Sequence, residues 1–259
     1  MNVLSFGRLK ANWVVWILAL NVCSFLVAFS SVLAAHEFTL QKPLRWGYYD
    51  FPPYIYTDEH GDPAGEMAMV LDGLMNDLDI PYQPLVYPNR RFIKLLEEQQ
   101  LDFSFSVKAS FKQPENVIFS RFPIRVVEFR VYWLNGETPN VTQVEDLIGK
   151  PLLTIAGFNY GGLTDTPPFN EMRSTIVENH ERALNALVLG RASYLLAYRF
   201  PTEQAILNTE SVSLNYFSVR KTPVFMALNS KVANASELMS QLENSYQKLF
   251  SQQNITDND

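Results

Sequence analysis

Beyond an amino-terminal apolar stretch, the order of apolar and polar positions alternates between strand-like and helix-like periods. Arg45-Trp-Gly-Tyr-Tyr-Asp-Phe-Pro-Pro-Tyr-Ile-Tyr56 reads as a buried strand ended by a Pro-Pro turn. Asp58-Glu-His-Gly-Asp-Pro-Ala-Gly65 reads as a Gly-punctuated hairpin that opens a helix. From Glu66 onward, Met67, Val70, Leu71, Leu74, Met75 and Leu78 recur at helical spacing, which turns Asp72, Asn76 and Asp77 towards water. Pro81 to Tyr87 predicts a strand, Asn89 a cap for a helix through Phe92, Ile93, Leu95 and Leu96, and Leu101-Asp-Phe-Ser-Phe-Ser106 the next strand. This β-α-β-α-β order favours parallel strands covered by helices.

Arg125 to Leu134 is one long extended run, and Asn135-Gly-Glu-Thr-Pro139 breaks it with turn residues, where a lobe boundary fits. The alternation then restarts: Pro151 to Ile155 as strand, a helix after Tyr160, Ser174 to Val177 as strand, His180 to Leu189 as helix and Ser193 to Tyr198 as strand. Phe217 to Leu228 supplies more extended chain. Ser236 to Phe250 reads as a closing helix of the first lobe, with Leu238, Met239, Leu242, Tyr246 and Leu249 apolar. The expectation is an α/β fold of two β/α lobes joined by crossing strands. Residues 36–133 begin the first lobe, 134–220 form the second, and 221–259 return to the first. A cleft between such lobes closes around a ligand by hinge motion.

The first 35 residues change the picture of where the chain works. They hold no Asp or Glu, carry Arg8 and Lys10 ahead of an apolar run from Trp13 to Leu33, and end in Val32-Leu-Ala-Ala35. That arrangement reads as a secretory signal, with an uncleaved membrane anchor as the alternative. Cys23, the only cysteine, follows Leu20-Asn-Val22 and lacks the small residue a lipoprotein signal needs before it, so the mature chain has no thiol. With 21 Lys and Arg against 27 Asp and Glu and a formal charge of −6, the chain is acidic, which argues against a nucleic-acid partner. His36, His60 and His180 are scattered without metal-ligand spacing, and no cofactor motif occurs; Gly149-Lys150 leads into Pro151 instead of a phosphate loop.

Tyr49-Asp-Phe-Pro-Pro-Tyr54, Asp58-Glu-His-Gly61 with Gly65, Leu101-Asp102, Phe119-Ser-Arg-Phe-Pro123, Asp146-Leu-Ile-Gly-Lys150 and Ala186-Leu-Val-Leu-Gly-Arg191 stand in an order that resembles the extracellular solute-binding protein family 3. The resemblance covers nearly the whole mature chain and implies the periplasmic binding protein type 2 fold. It also implies a periplasmic, non-enzymatic, monomeric binder of a small polar or anionic solute that works with a membrane permease or a sensor. Two positions depart from the amino acid binders of that family. Where they place an Arg for the α-carboxylate, this chain runs Ser110-Phe-Lys-Gln-Pro-Glu115. Where they place an Asp for the α-amino group, it has Tyr198. Asn89-Arg-Arg-Phe92 and Gly157-Phe-Asn-Tyr-Gly161 are similar to elements of a divergent branch of the family. In the second, glycines at a helix start form a natural anion site.

By this resemblance Phe51 presents an aromatic wall to the ligand, or else packs under the Pro-Pro turn. Arg91 pairs with a ligand anion or makes a salt bridge. Ser106 and Ser110 donate hydrogen bonds, and Lys108 replaces the absent Arg or sits in a solvated loop. Gly157, Phe158, Asn159 and Tyr160 supply closing contacts from the second lobe, and Tyr198 narrows the pocket or meets a neutral ligand group. Two competing functions follow from the same residues. One is a dehydratase for cyclohexadienyl acids, which needs a general acid from Glu128, Glu171 or Glu178. The other is a membrane-tethered sensory module, which needs Trp13 to Leu33 uncut.

Overall fold

The computed structural model describes residues 42–136, 141–158, 160–207, 209 and 212–250. The segment 1–35, most of the Asn135–Pro139 break and the candidate Asn159 lie outside the described residues.

Strand β1 (Leu44–Tyr48) buries Leu44, Trp46 and Tyr48, alternate residues that share one face of the pleat. The chain then turns tightly, with the Phe51 N–H donating to the Ile55 carbonyl at 2.6 Å. A two-stranded ribbon follows, β2 (Tyr56–Thr57) against β3 (Pro63–Ala64). It ends at Gly65, where φ is +99° and a side chain would stand 2.6 Å from the Pro53 carbonyl oxygen. A glycine is needed there for both reasons, and it seats the 51–55 turn on the start of helix α1 (Glu66–Asp77). Met67, Leu71, Leu74 and Met75 form the buried stripe of that helix, at the positions the spacing predicts.

Parallel to β1 on either side run β4 (Tyr82–Val86) and β5 (Phe103–Ser106), connected by helix α2 (Asn89–Glu97). The short strand β6 (Val117–Phe119) leads into β7 (Arg125–Leu134). The second group comprises β8 (Leu152–Ile155), β9 (Ser174–Val177), helix α3 (His180–Val188), β10 (Tyr194–Tyr198) and helix α4 (Arg199–Leu207). Its strands β9, β8 and β10 are mutually parallel, and β10 closes antiparallel on β7.

Strand β11 (Leu214–Asn229) joins the two groups. Leu214 to Val224 pair antiparallel with β7, and Phe225 to Leu228 pair with β5, so one strand carries the sheet from one lobe to the other. The nine-stranded sheet therefore runs β4-β1-β5-β11-β7-β10-β8-β9, with β6 beside β11. Helix α5 (Ala235–Phe250) returns to α1, where Ser245 and Lys248 both donate to Asp77. Asp77 is thus a docking point for the last helix and does not simply face water. Separate apolar clusters fill the lobes, Phe92, Leu96, Leu101 and Ala227 in one and Leu153, Leu184, Leu187 and Leu195 in the other.

Three expectations are corrected. Asn89 does not cap α2: Pro88 occupies that position, and the Asn89 side chain donates instead to the Gly157 carbonyl at 3.0 Å. After Tyr160 there is no α-helix but two three-residue 3-10 turns, Leu163–Asp165 and Phe169–Glu171, because Pro167 and Pro168 break the ladder. The anion site expected at that helix start is lost with the helix. Helix α4 was not anticipated, because its buried residues are Pro201, Thr202 and Ala205, too small and polar to print an apolar period.

Candidate functional site

The carboxyl ends of β1 and β5, the 51–55 turn and the crossing strands converge on one cavity. Its wall includes Trp46, Tyr48, Tyr49, Phe51, Ile55 and Met67 on one side. Ser104, Phe105, Ser106 and Val107 of the β5 end, Val127 and Val224 of the crossing strands, and Tyr198 of β10 complete it. The empty volume is about 500 Å³, counting the solvent at its mouth. Its unobstructed interior has room for only about three water molecules.

Aromatic rings account for this narrowness. Phe51 is 4% exposed and meets the ring of Tyr198 edge-on at 4.6 Å and that of Phe158 at 5.5 Å. Tyr49 approaches Phe158 at 6.2 Å, and Tyr198 stacks on Tyr160 at 5.5 Å and abuts Phe129 at 4.6 Å. Offset and edge-to-face pairs of this kind contribute about 0.5–1.5 kcal/mol each beyond their burial. Tyr160 anchors the second-lobe side, since its hydroxyl accepts from the Ile155 N–H at 2.8 Å and donates to the Leu196 carbonyl at 3.1 Å. It holds a φ of +51°, followed by Gly161 and Gly162 at +64° and +79°, so the chain turns back on itself as soon as that ring is placed.

Burial pushes the hydroxyls of Tyr49, Tyr160 and Tyr198 above the ordinary phenol range, and all three are neutral donors at physiological pH. Burial also lowers the pKa of His180, whose ring lies 6.5 Å from Phe158, to about 4. Its Nε2 is buried without a hydrogen bond, as are the Trp46 Nε1 and the Thr222 Oγ1.

Of the residues singled out in the sequence, Phe51, Ser106 and Tyr198 line the cavity. Phe158 and Tyr160 stand behind them in the aromatic cluster, and Gly157 is tied to Asn89 across the cleft. Arg91, Lys108 and Ser110 are not on the cavity wall. The exposed Arg91 guanidinium lies 5.4 Å over the Tyr87 ring, and the Lys108 ammonium lies 3.9 Å over the Phe225 ring. Neither stands on the wall, so the cavity itself gives no support to their reading as partners of a ligand anion. Trp46, Tyr48, Ile55, Met67 and Phe105 went unassigned because a residue lining a small cavity beneath a sheet has the same apolar period as a core residue. The shared face of Trp46 and Tyr48 on β1 is the signal that carries them.

Carboxylates near the cleft are committed elsewhere. The Arg130 Nε donates to Glu128 Oε1 at 2.8 Å and its Nη2 to Oε2 at 3.1 Å, in a two-pronged pair that is less than one tenth exposed. Arg199 and Glu203 of α4 join it, with Glu203 Oε1 accepting from both arginines. Glu171 and Glu178 are exposed and away from the cavity wall. Among the described residues no group of three or more His, Cys, Asp or Glu converges as a metal site requires.

No family model and no curated protein sequence matches the chain. Solved structures do. A histidine kinase sensor domain with similarity to periplasmic binding proteins superposes with a TM-score of 0.68 at 17% identity, over 83% of this chain and 92% of that one. The GluR0 ligand-binding core in complex with L-glutamate gives 0.65 at 15%, over 83% and 97%. A substrate-binding protein of an ABC uptake transporter from Streptococcus pneumoniae, with bound histidine, gives 0.64 at 17%, over 81% and 87%. At these identities the likeness is one of fold, and the chain has the two-lobed α/β architecture of periplasmic-binding-protein-like folds.

Proposed function

We propose that this protein is an exported, non-enzymatic binding domain that closes its two lobes on a small solute and serves uptake or sensing. The observation that carries the reading is the cavity itself. It lies at the carboxyl ends of β1 and β5, between the crossing strands, and its wall is completed by Tyr198 from the other lobe. The lobe division anticipated from the sequence, 36–133 with 221–259 against 134–220, is part of this proposal and is supported by the change of partner along β11. Similar folds that hold L-glutamate or histidine support binding, and a similar fold that is a kinase sensor domain supports sensing.

The dehydratase alternative is disfavoured by the same geometry. Glu128 is clamped by Arg130, and Glu171 and Glu178 do not reach the cavity. The anionic solute anticipated from Arg91 and Lys108 also loses its support, since neither cation reaches the wall.

The test is thermal denaturation of the purified full chain against amino acids, dicarboxylates, short peptides and uncharged aromatic compounds at millimolar concentration. A ligand that binds only the folded state raises the midpoint by mass action. The expected result is a rise with at least one compound that Phe51→Ala abolishes. A panel with no rise overturns the binding role.

A further inference from the structure

Resting on that binding role, we propose that the cavity takes an uncharged single-ring aromatic molecule bearing a hydrogen-bonding oxygen, not an ion or an amino acid zwitterion. None of the wall residues is Asp, Glu, Lys, Arg or His. Charged groups on the elements around the cavity have partners: Lys108 on the Phe225 ring, Arg91 over the Tyr87 ring, Arg130 on Glu128 and Glu203, and Asp50 on the Thr57 N–H and hydroxyl. A charge entering this space would lose its hydration and find no counter-charge, and a zwitterion would do so twice.

What the wall offers instead is flat apolar surface and unsatisfied neutral hydrogen-bonding groups. Phe51, Phe105 and Tyr198 present ring faces and edges. The Trp46 indole is 1% exposed and its N–H has no partner, an omission that buried donors rarely show. Thr222 of β11 is not on the wall but lies two residues from the wall residue Val224; it is 7% exposed, and its hydroxyl is likewise unpaired. Tyr49 and Tyr198 stand on the wall with neutral hydroxyls. An indole N–H can only donate and the hydroxyls can donate, so the complementary ligand atom is an acceptor oxygen of a carbonyl or hydroxyl. Size sets the upper limit: the interior has room for about three water molecules, so one small ring already requires the lobes to part slightly, and a second ring has no place.

The test titrates the full chain with five compounds that share a phenyl ring and differ in charge: benzamide and benzyl alcohol, benzoate, benzylamine and phenylalanine. Calorimetry is expected to give benzamide or benzyl alcohol at least tenfold tighter than the three charged compounds. Tyr198→Phe should weaken the neutral ligand several-fold without lowering the unliganded melting temperature by more than a few degrees. Tyr198→Asp should remove the preference and bring in benzylamine. Benzoate or phenylalanine binding as tightly as benzamide overturns the proposal. Binding of glutamate, glutamine or a dicarboxylate with no response to benzamide or benzyl alcohol overturns the ligand class and leaves the binding role standing. No response to either set overturns both.

Discussion

His180 opens α3 with its ring beside Phe158 and its Nε2 buried, and burial disfavours the imidazolium. Its folded pKa of about 4 lies below the ordinary 6.5, so between those values the unfolded chain binds the extra proton and stability falls as pH falls. The loss begins near pH 6.5 and is complete near pH 4, with a ceiling of about 3 kcal/mol. Urea denaturation of the wild type at pH 7 and pH 5, set against His180→Phe, should show a smaller acid loss in the variant; equal losses would remove His180 as the cause. Single residues were the least legible part of the sequence. Phe51, Ser106 and Tyr198 line the cavity at places to which a family resemblance points, whereas Trp46 and His180 carry their meaning in an unpaired atom that no spacing reveals. The sequence leaves Arg91 and Lys108 open because a cation near a cleft has two stable choices, a ligand or an aromatic ring, and here both lie over rings.

At the scale of elements, α4 is held to the sheet by charge more than by an apolar stripe. Glu128 and Arg130 on β7 stand less than one tenth exposed, and α4 supplies Arg199 and Glu203 to complete two positive and two negative groups. Burial works against the Glu128 charge, but hydrogen bonds from Arg130 and Ser218 prevail and hold its pKa below the usual carboxylate range. Glu128→Ala leaves the buried Arg130 without its two-pronged partner, and such truncations cost about 3–5 kcal/mol. The expected result is that loss in urea denaturation, with Glu128→Gln between the two; a cost under about 1 kcal/mol would mean that Glu203 alone satisfies Arg130. The amphipathic helices α1, α3 and α5 were legible because their apolar periods reflect a single buried face, and the central strands β5, β8 and β10 because they are short apolar runs buried along their whole length. Helix α4 and the turns after Tyr160 were not, since a charge network and a Pro-Pro break leave no period to read.

Across the whole molecule, the lobes are joined by the pair β7 and β11, which shifts register between Ser218 and Arg220, and by contacts made directly across the cleft. Four aromatic pairs, Phe51 with Phe158, Phe51 with Tyr198, Tyr49 with Phe158 and Tyr54 with Phe200, cross it together with the Asn89 hydrogen bond to Gly157. If the lobes hinge as proposed, about 0.5–1.5 kcal/mol for each ring pair and about 1 kcal/mol for the hydrogen bond favour closure without a ligand by about 3–7 kcal/mol before the entropy of the hinge is counted. Hinge entropy moves the balance towards the lower end of that range, where the open form is about 1%, and on this reading a ligand enters through a minor state and its apparent affinity falls by the same fraction. Phe158→Ala removes two of the four ring pairs, worth about 1–3 kcal/mol, and raises the open population by about five- to a hundredfold. Small-angle scattering of the ligand-free variant should therefore give a larger radius of gyration than the wild type, and its association with any cleft ligand should be faster. An unchanged radius together with an unchanged association rate would mean that the crossing strands hold the lobes, and that the rings at the cleft only fill the space between them.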